Sequence, residues 1–210
     1  MKNFTKIFFG MLAMIIALAS CSKSDDFSKL AEEQRIKDSI ENARIQNLLK
    51  EQAPQLKSFA IKNFTNPKLD TATGIWYDLI AEGDDASYTY QISSGGYLMY
   101  PTAVVNYKVN LLNGADKGTL VDESKEGSPV RFTINRDGII LFWQFAFFPK
   151  KLSFQGKEVN IGGVTVKGLK KGSKIKAVSP SPFAYDQRVN EKVPANSPLY
   201  SEIEVVSISN

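Results

Sequence analysis

The stretch GLKKGSKIKAVSPSPFAYDQRVNEKVPANSPLYSEIEVVSI, residues 168–208, reads as strand, exposed loop, strand. Residues 174–178 alternate polar and apolar until Pro180 and Pro182, which lack the N–H a ladder needs. Residues 203–208 form a second β-rich run shortly after Pro198. Between the two lie Phe183, Tyr185, Val193 and Pro194. Apolar and aromatic side chains on a loop held between strands commonly carry a binding function, although the same residues would also serve to cap a core.

Working outward, residues 75–80 form a β-rich run between Gly74 and the turn residues Glu82, Gly83 and Asp84. Residues 87–92 alternate and are broken by Ser94-Gly95-Gly96. Residues 102–112 alternate again and end at Asn113-Gly114, a hairpin signal. Residues 139–148 are ten nearly unbroken apolar positions, buried as helix or as strand. Lys151 to Phe154, Gln155-Gly156 and the run beyond Val159 predict an inserted hairpin within 149–167. Many short strands with one leading helix predict an α+β domain built on an antiparallel sheet, twisted as such sheets are.

The residues of the quoted stretch resemble the C-terminal half of an FKBP-type peptidyl-prolyl isomerase domain. The matching elements are Leu169-Lys170-Lys171-Gly172, then Ile175 to Ser179 with Pro180, Ala184-Tyr185, Val193-Pro194, Asn196-Ser197, Leu199 and the final strand. The resemblance extends back through Gly74-Ile75-Trp76-Tyr77, Val104-Val105-Asn106-Tyr107, the turn ending Val121-Asp122-Glu123-Ser124, and Pro129-Val130-Arg131-Phe132. It also takes in Ile139-Ile140-Leu141-Phe142-Trp143. It implies an FKBP-like sheet with a short helix and a pocket for proline-containing polypeptides. It places Tyr107, Asp122, Ile140, Trp143 and Tyr185 as catalytic residues and Ile139, Phe132 and Val193 as substrate-binding ones. In that pattern Tyr185 donates its hydroxyl and Ile140 its backbone N–H to substrate carbonyls, Trp143 supports the pyrrolidine ring, and Asp122 orients polar groups at the rim. Val121, Val130 and Ser201 stand where the family has aromatics, which implies weak activity, or a binding module that has lost catalysis. A second register would place the helix inside 149–167 and Gly163 near the indole position. The Trp143 register keeps the pocket floor and is adopted here.

The remainder of the chain bounds the chemistry. Histidine is absent and cysteine occurs once, at Cys21, so triads, histidine bases, most zinc sites and intrachain disulfides drop out. No metal and no cofactor are expected. The 26 basic residues less Lys2 and Lys6 leave 24 against 22 acidic ones, a balance of +2 that predicts no nucleic-acid partner. The basic run Lys167, Lys170, Lys171, Lys174 and Lys176 is expected to be a solvated turn. Gly163 and Gly168 have phosphate-loop spacing, but the Lys-Ser/Thr such a loop requires does not follow.

Residues 1–20 have the charged start, apolar run and small residues of a signal peptide, and the run is shorter than the roughly 20 residues a spanning helix needs. Leu18-Ala19-Ser20-Cys21 resembles the bacterial lipobox, implying a lipid anchor on Cys21 and an outer-membrane lipoprotein facing the periplasm or the cell surface. Lys23-Ser24-Asp25-Asp26 resembles a surface-export signal. Residues 27–52 predict a helical tether ending by Pro54, by default a solvated stalk about 40 Å long at 1.5 Å per residue, with docking on the domain or dimerisation as the alternative. The expected organisation is thus a signal peptide at 1–20, a lipidated, helical tether at 21–55, and an FKBP-like domain at 56–210 with its insertion near 149–167.

Overall fold

The computed structural model describes residues 24–135 and 139–210, with side chains from Ser28 onward. The chain divides into two units, one ending at Gln46 and the other spanning Asn47–Asn210. The described part of the first is exposed helix with short-range polar pairs, Gln34 to Asp38 and Arg44 to Glu41 among them.

Helix α1 spans Ser24–Asn63 and runs through Pro54, so the end expected before that proline is not observed. A proline inside a helix removes one backbone hydrogen bond and costs about 3 kcal/mol. Pro54 is exposed, and burial beyond it offsets the loss. Gln52, Leu56, Phe59, Ala60 and Phe64 recur at helical spacing and are buried. The apolar members of that stripe pack with Val178 and Tyr200, and Phe59 meets the Tyr200 ring at 5.1 Å. Past the helix, the Asp78 carboxylate accepts hydrogen bonds from the N–H groups of Thr65 (2.8 Å) and Asn66 (3.3 Å), tying the turn to the sheet.

The main sheet holds β1 (Lys68–Asp70), β2 (Ile75–Ala81), β3 (Thr102–Asn113), β4 (Asp116–Glu123), β5 (Val130–Thr133), β8 (Lys174–Ser179) and β9 (Leu199–Ser209). It is antiparallel, in the order β1-β2-β8-β9-β3-β4, with β5 also on β3. β4 covers β3 from Lys108 to Asn113 and β5 covers it from Thr102 to Val105, so one long strand is edged by two short ones. The hairpin at Asn113-Gly114 forms as expected, Gly114 adopting φ 57°. Residues 87–92 do not form the expected strand: Asp85–Ser87 is a 3₁₀ turn, and Ile92 bridges only Leu98. Their alternation instead turns Tyr88 and Tyr90 inward, where Tyr90 meets Phe148 edge-on and donates to the Leu169 carbonyl at 2.5 Å.

Helix α2 (Leu141–Phe147) settles residues 139–148 as helix and buries Phe142, Trp143, Ala146 and Phe147 in the core with Ile75, Val105, Ile175, Leu199 and Ile203. Seven residues leave most of a helix's terminal carbonyls unpaired. The chain beyond the hairpin of β6 (Lys151–Phe154) and β7 (Lys157–Asn160) supplies partners. Val164 donates to the Phe145 carbonyl at 2.8 Å and Leu169 to the Phe147 carbonyl at 2.9 Å. Gly163 makes this approach possible, because a Cβ there would overlap the Phe148 carbonyl. The basic run is met by acids: Lys167 contacts Glu82 and Asp85, Lys170 contacts Asp85, and Lys174 contacts Glu204.

Candidate functional site

Tyr107 lies on β3, Asp122 on β4, Phe132 on β5, Trp143 on α2, and Ile139 and Ile140 immediately before that helix. Tyr185 and Val193 lie on the connection from β8 to β9. Strand pairing brings the first three together, because β4 and β5 flank the same edge of β3. The alternation of β3 points Val105, Tyr107 and Val109 toward the side on which α2 packs.

Three rings meet edge-on. Tyr107 is 5.2 Å from Trp143 and 5.6 Å from Phe132, and Phe132 is 5.3 Å from Trp143, all between centroids. Edge-to-face geometry sets the positive rim of one ring against the negative face of the next. Trp143 is 4% exposed, and its indole N–H has no hydrogen-bond partner among the described residues. Phe132 and Tyr107 remain half-buried, leaving apolar ring surface open to a ligand.

Around the rings stands a small set of polar groups. The Tyr107 hydroxyl donates to Asp122 Oδ2 at 2.8 Å. Burial, reinforced by that carboxylate, pushes the Tyr107 phenol far above its ordinary value. Tyr185 is also pushed up, by burial first and then by the Asp122 charge, with Arg188 opposing. Both phenols therefore stay protonated throughout the neutral range. The Arg188 guanidinium sits 5.9 Å from the centre of the Tyr185 ring, and its backbone N–H donates to the Tyr185 carbonyl at 2.9 Å. Neither the Tyr185 hydroxyl nor the Ile140 N–H has a hydrogen-bond partner among the described residues.

Val193 differs from its expected role as a pocket wall. It is fully buried in the core, so it offers a ligand no surface. Asn190 turns it inward, its Oδ1 accepting from the N–H groups of Lys192 and Val193 at 2.9 Å each. Ile139 and Ile140 are half-buried and pack on the same core.

Sequence reasoning passed over three contributors. Phe145 meets Phe183 edge-on at 5.4 Å, joining α2 to the connection that bears Tyr185. The Lys192 ammonium donates to the Val121 carbonyl at 2.9 Å, beside Asp122. Gln52 of α1 bonds to the same connection from the other side. An unbroken apolar run hid Phe145, and nothing in the local pattern separates Gln52 from Gln55.

A family model described as FKBP-type peptidyl-prolyl cis-trans isomerase matches residues 100–206, a span that contains each of the predicted pocket residues. Among solved structures, FkpA from Escherichia coli is similar at a TM-score of 0.50 and 23% identity, over 99% of this chain and 82% of that one. A peptidyl-prolyl cis-trans isomerase from Pseudomonas syringae pv. tomato gives a TM-score of 0.49 and 19% identity, over 79% and 96%. At these identities the likeness is one of fold. No curated protein matches the chain.

Proposed function

The chain belongs to the FKBP-type peptidyl-prolyl cis-trans isomerase family, and from that premise we propose that it is a membrane-anchored lipoprotein that binds proline-containing segments of envelope proteins and turns their prolyl bonds slowly. The single observation that carries the pocket is the convergence of Tyr107, Phe132 and Trp143 as mutually edge-on rings.

Rotation about an X–Pro amide faces a barrier of roughly 18–20 kcal/mol that arises from amide resonance. Nothing in that rotation requires a proton to move, so a site without histidine suffices. The rings exclude water, which weakens hydration of the carbonyl and with it the charge-separated resonance form. The twisted amide is favoured wherever the site holds it better than the planar one, and only that difference accelerates the step. In this proposal Tyr185 and the Ile140 N–H hold the carbonyls on either side of the proline. Trp143 carries the pyrrolidine ring, and Asp122 fixes the Tyr107 hydroxyl at the rim.

Slow turnover is supported by the floor itself. Trp143 is 96% covered by its own neighbours, and the valines at 121 and 130 leave two aromatic walls unmade. Binding without acceleration would place the protein among inactive scaffolds that keep the fold.

The anchor rests on the leader sequence. Cys21 and the signal segment lie outside the described residues. Among the described residues, no helix is long and apolar enough to cross a membrane. Cys21→Ser should release the protein from outer-membrane fractions or leave an unprocessed precursor, and normal processing with retained membrane association would refute lipidation. For the pocket, a proline-containing peptide should shift Trp143 fluorescence in a Trp76→Phe background. A peptide series that leaves the emission unchanged would remove the binding claim.

A further inference from the structure

We propose that Gln52, on helix α1, is a positioning residue for the pocket: its side-chain amide locks the β8–β9 connection that carries Tyr185. This rests on the peptide-binding role proposed above. Gln52 is 8% exposed and lies 129 residues from its partner Ser181 in sequence. Its Nε2 donates to Ser181 Oγ and to the Asn196 carbonyl, both at 2.9 Å, and its Oε1 accepts from the Ser181 N–H at 2.8 Å. Both ends of the amide are therefore used, its NH₂ as donor and its oxygen as acceptor.

These bonds close a ring. The Ser181 carbonyl accepts from the Asp186 N–H at 2.9 Å, the Asp186 carbonyl accepts from the Asn196 N–H at 2.7 Å, and the Asn196 carbonyl accepts from Gln52. Each hydrogen bond polarises the next, so such a ring closes or opens as a unit. Two of its members, Asp186 and Asn196, hold φ of 53° and 57°. Asp and Asn enter left-handed backbone more readily than other non-glycine residues, and the bonds of the ring hold the turn there. Tyr185 immediately precedes Asp186, so the direction of its ring depends on that enforced turn. Docking of α1 has a separate basis in Leu56, Phe59, Ala60 and Phe64 against Val178 and Tyr200. The amide's distinct contribution is to the conformation of the connection.

The test compares Gln52→Met, which keeps the approximate volume and removes all three bonds, with Gln52→Glu, which keeps the acceptor and, as a carboxylate, loses the donor. Both are made in the full chain. Amide hydrogen exchange should quicken about tenfold or more at Asp186 and Asn196 in Gln52→Met and less in Gln52→Glu, with Val105 and Ile203 unchanged. With an X-Pro peptide, KM should rise about three- to tenfold while kcat stays within about twofold, since Gln52 does not touch the turning amide. Unchanged exchange at Asp186 and Asn196 overturns the proposal, and so does quickened exchange with an unchanged KM. Faster exchange throughout the core in both variants would show a general structural role and overturn it as well. If the unaltered protein neither binds nor turns proline peptides, the pocket assignment fails first, and exchange at Asp186 and Asn196 then decides by itself whether Gln52 fixes the connection.

Discussion

Phe59→Ala separates a helix docked on the domain from one that merely extends from it. Phe59 is fully buried between Tyr200, at 5.1 Å, and Phe64, at 6.0 Å. Transfer of a phenyl side chain from water contributes about 2–3 kcal/mol, and an edge or tilted ring contact adds about 0.5–1.5 kcal/mol. The cavity left against Tyr200 and Val178 raises the loss to about 3–5 kcal/mol. For a domain of this size each kcal/mol moves the melting temperature by about 2–4 °C, so a fall of about 6–20 °C is expected. Differential scanning calorimetry should show it, with Ile40→Ala as the control, because Ile40 is 66% exposed and should change the midpoint by about 2 °C or less. A Phe59→Ala shift as small as that of the control would refute the docking and restore a free stalk up to Pro54.

Tyr107→Phe removes the 2.8 Å bond to Asp122. A bond to a charged acceptor contributes about 1.5–3 kcal/mol when buried, but the exposed Asp122 rehydrates, so a loss of about 1 kcal/mol in denaturant midpoint is expected. Gly163→Ala forces a methyl group into the Phe148 carbonyl and should cost about 3 kcal/mol or more, visible as a lowered midpoint, whereas Gly156→Ala meets no neighbouring atom and should cost no more than its positive φ implies. The pH dependence follows from Tyr90, Tyr107, Tyr185 and Tyr200, each pushed up chiefly by burial. Because the folded protein holds these protons more tightly than the unfolded chain, their stabilisation is complete below about pH 10 and declines as pH rises above it. Absorbance at 295 nm should show these phenols ionising together with unfolding; ionisation of all eight tyrosines near pH 10 in a chain that stays folded would contradict the burial argument.

Much of this fold was legible where chemistry is local. The β-rich runs at 75–80 and 102–112, the turn at Asn113-Gly114 and the hairpin around Gln155-Gly156 follow from β-branched and aromatic residues punctuated by turn formers. The spacing from Phe132 through Trp143 to Tyr185 carried the family pattern, and it brings Tyr107, Phe132 and Trp143 into mutual contact. The misreadings each have a tertiary cause. Pro54 looked like a helix stop, but the stripe Gln52, Leu56, Phe59, Ala60 and Phe64 continues past it and is held by sheet residues more than a hundred positions away. Residues 87–92 alternate because two tyrosines turn inward, Tyr88 against Tyr90 and Tyr90 against Phe148, without a partner strand. Val193 sits on a loop yet is buried by the Asn190 turn, which one-dimensional pattern does not disclose. Gln52 becomes visible only when Ser181 and Asn196 are seen beside it.

The measurement that bears most directly on the pocket is the rate of cis-to-trans conversion of a short X-Pro peptide with the unaltered protein and with Tyr185→Ala. Tyr185 is half-buried at the edge of the core, so its removal deletes ring contact and a hydroxyl while sparing the fully buried residues. The unaltered protein should accelerate conversion measurably, and Tyr185→Ala should lower kcat/KM by about tenfold, equivalent to about 1.4 kcal/mol of lost transition-state stabilisation. Conversion at the uncatalysed rate with the unaltered protein, or equal acceleration by both proteins, would contradict catalysis at this site.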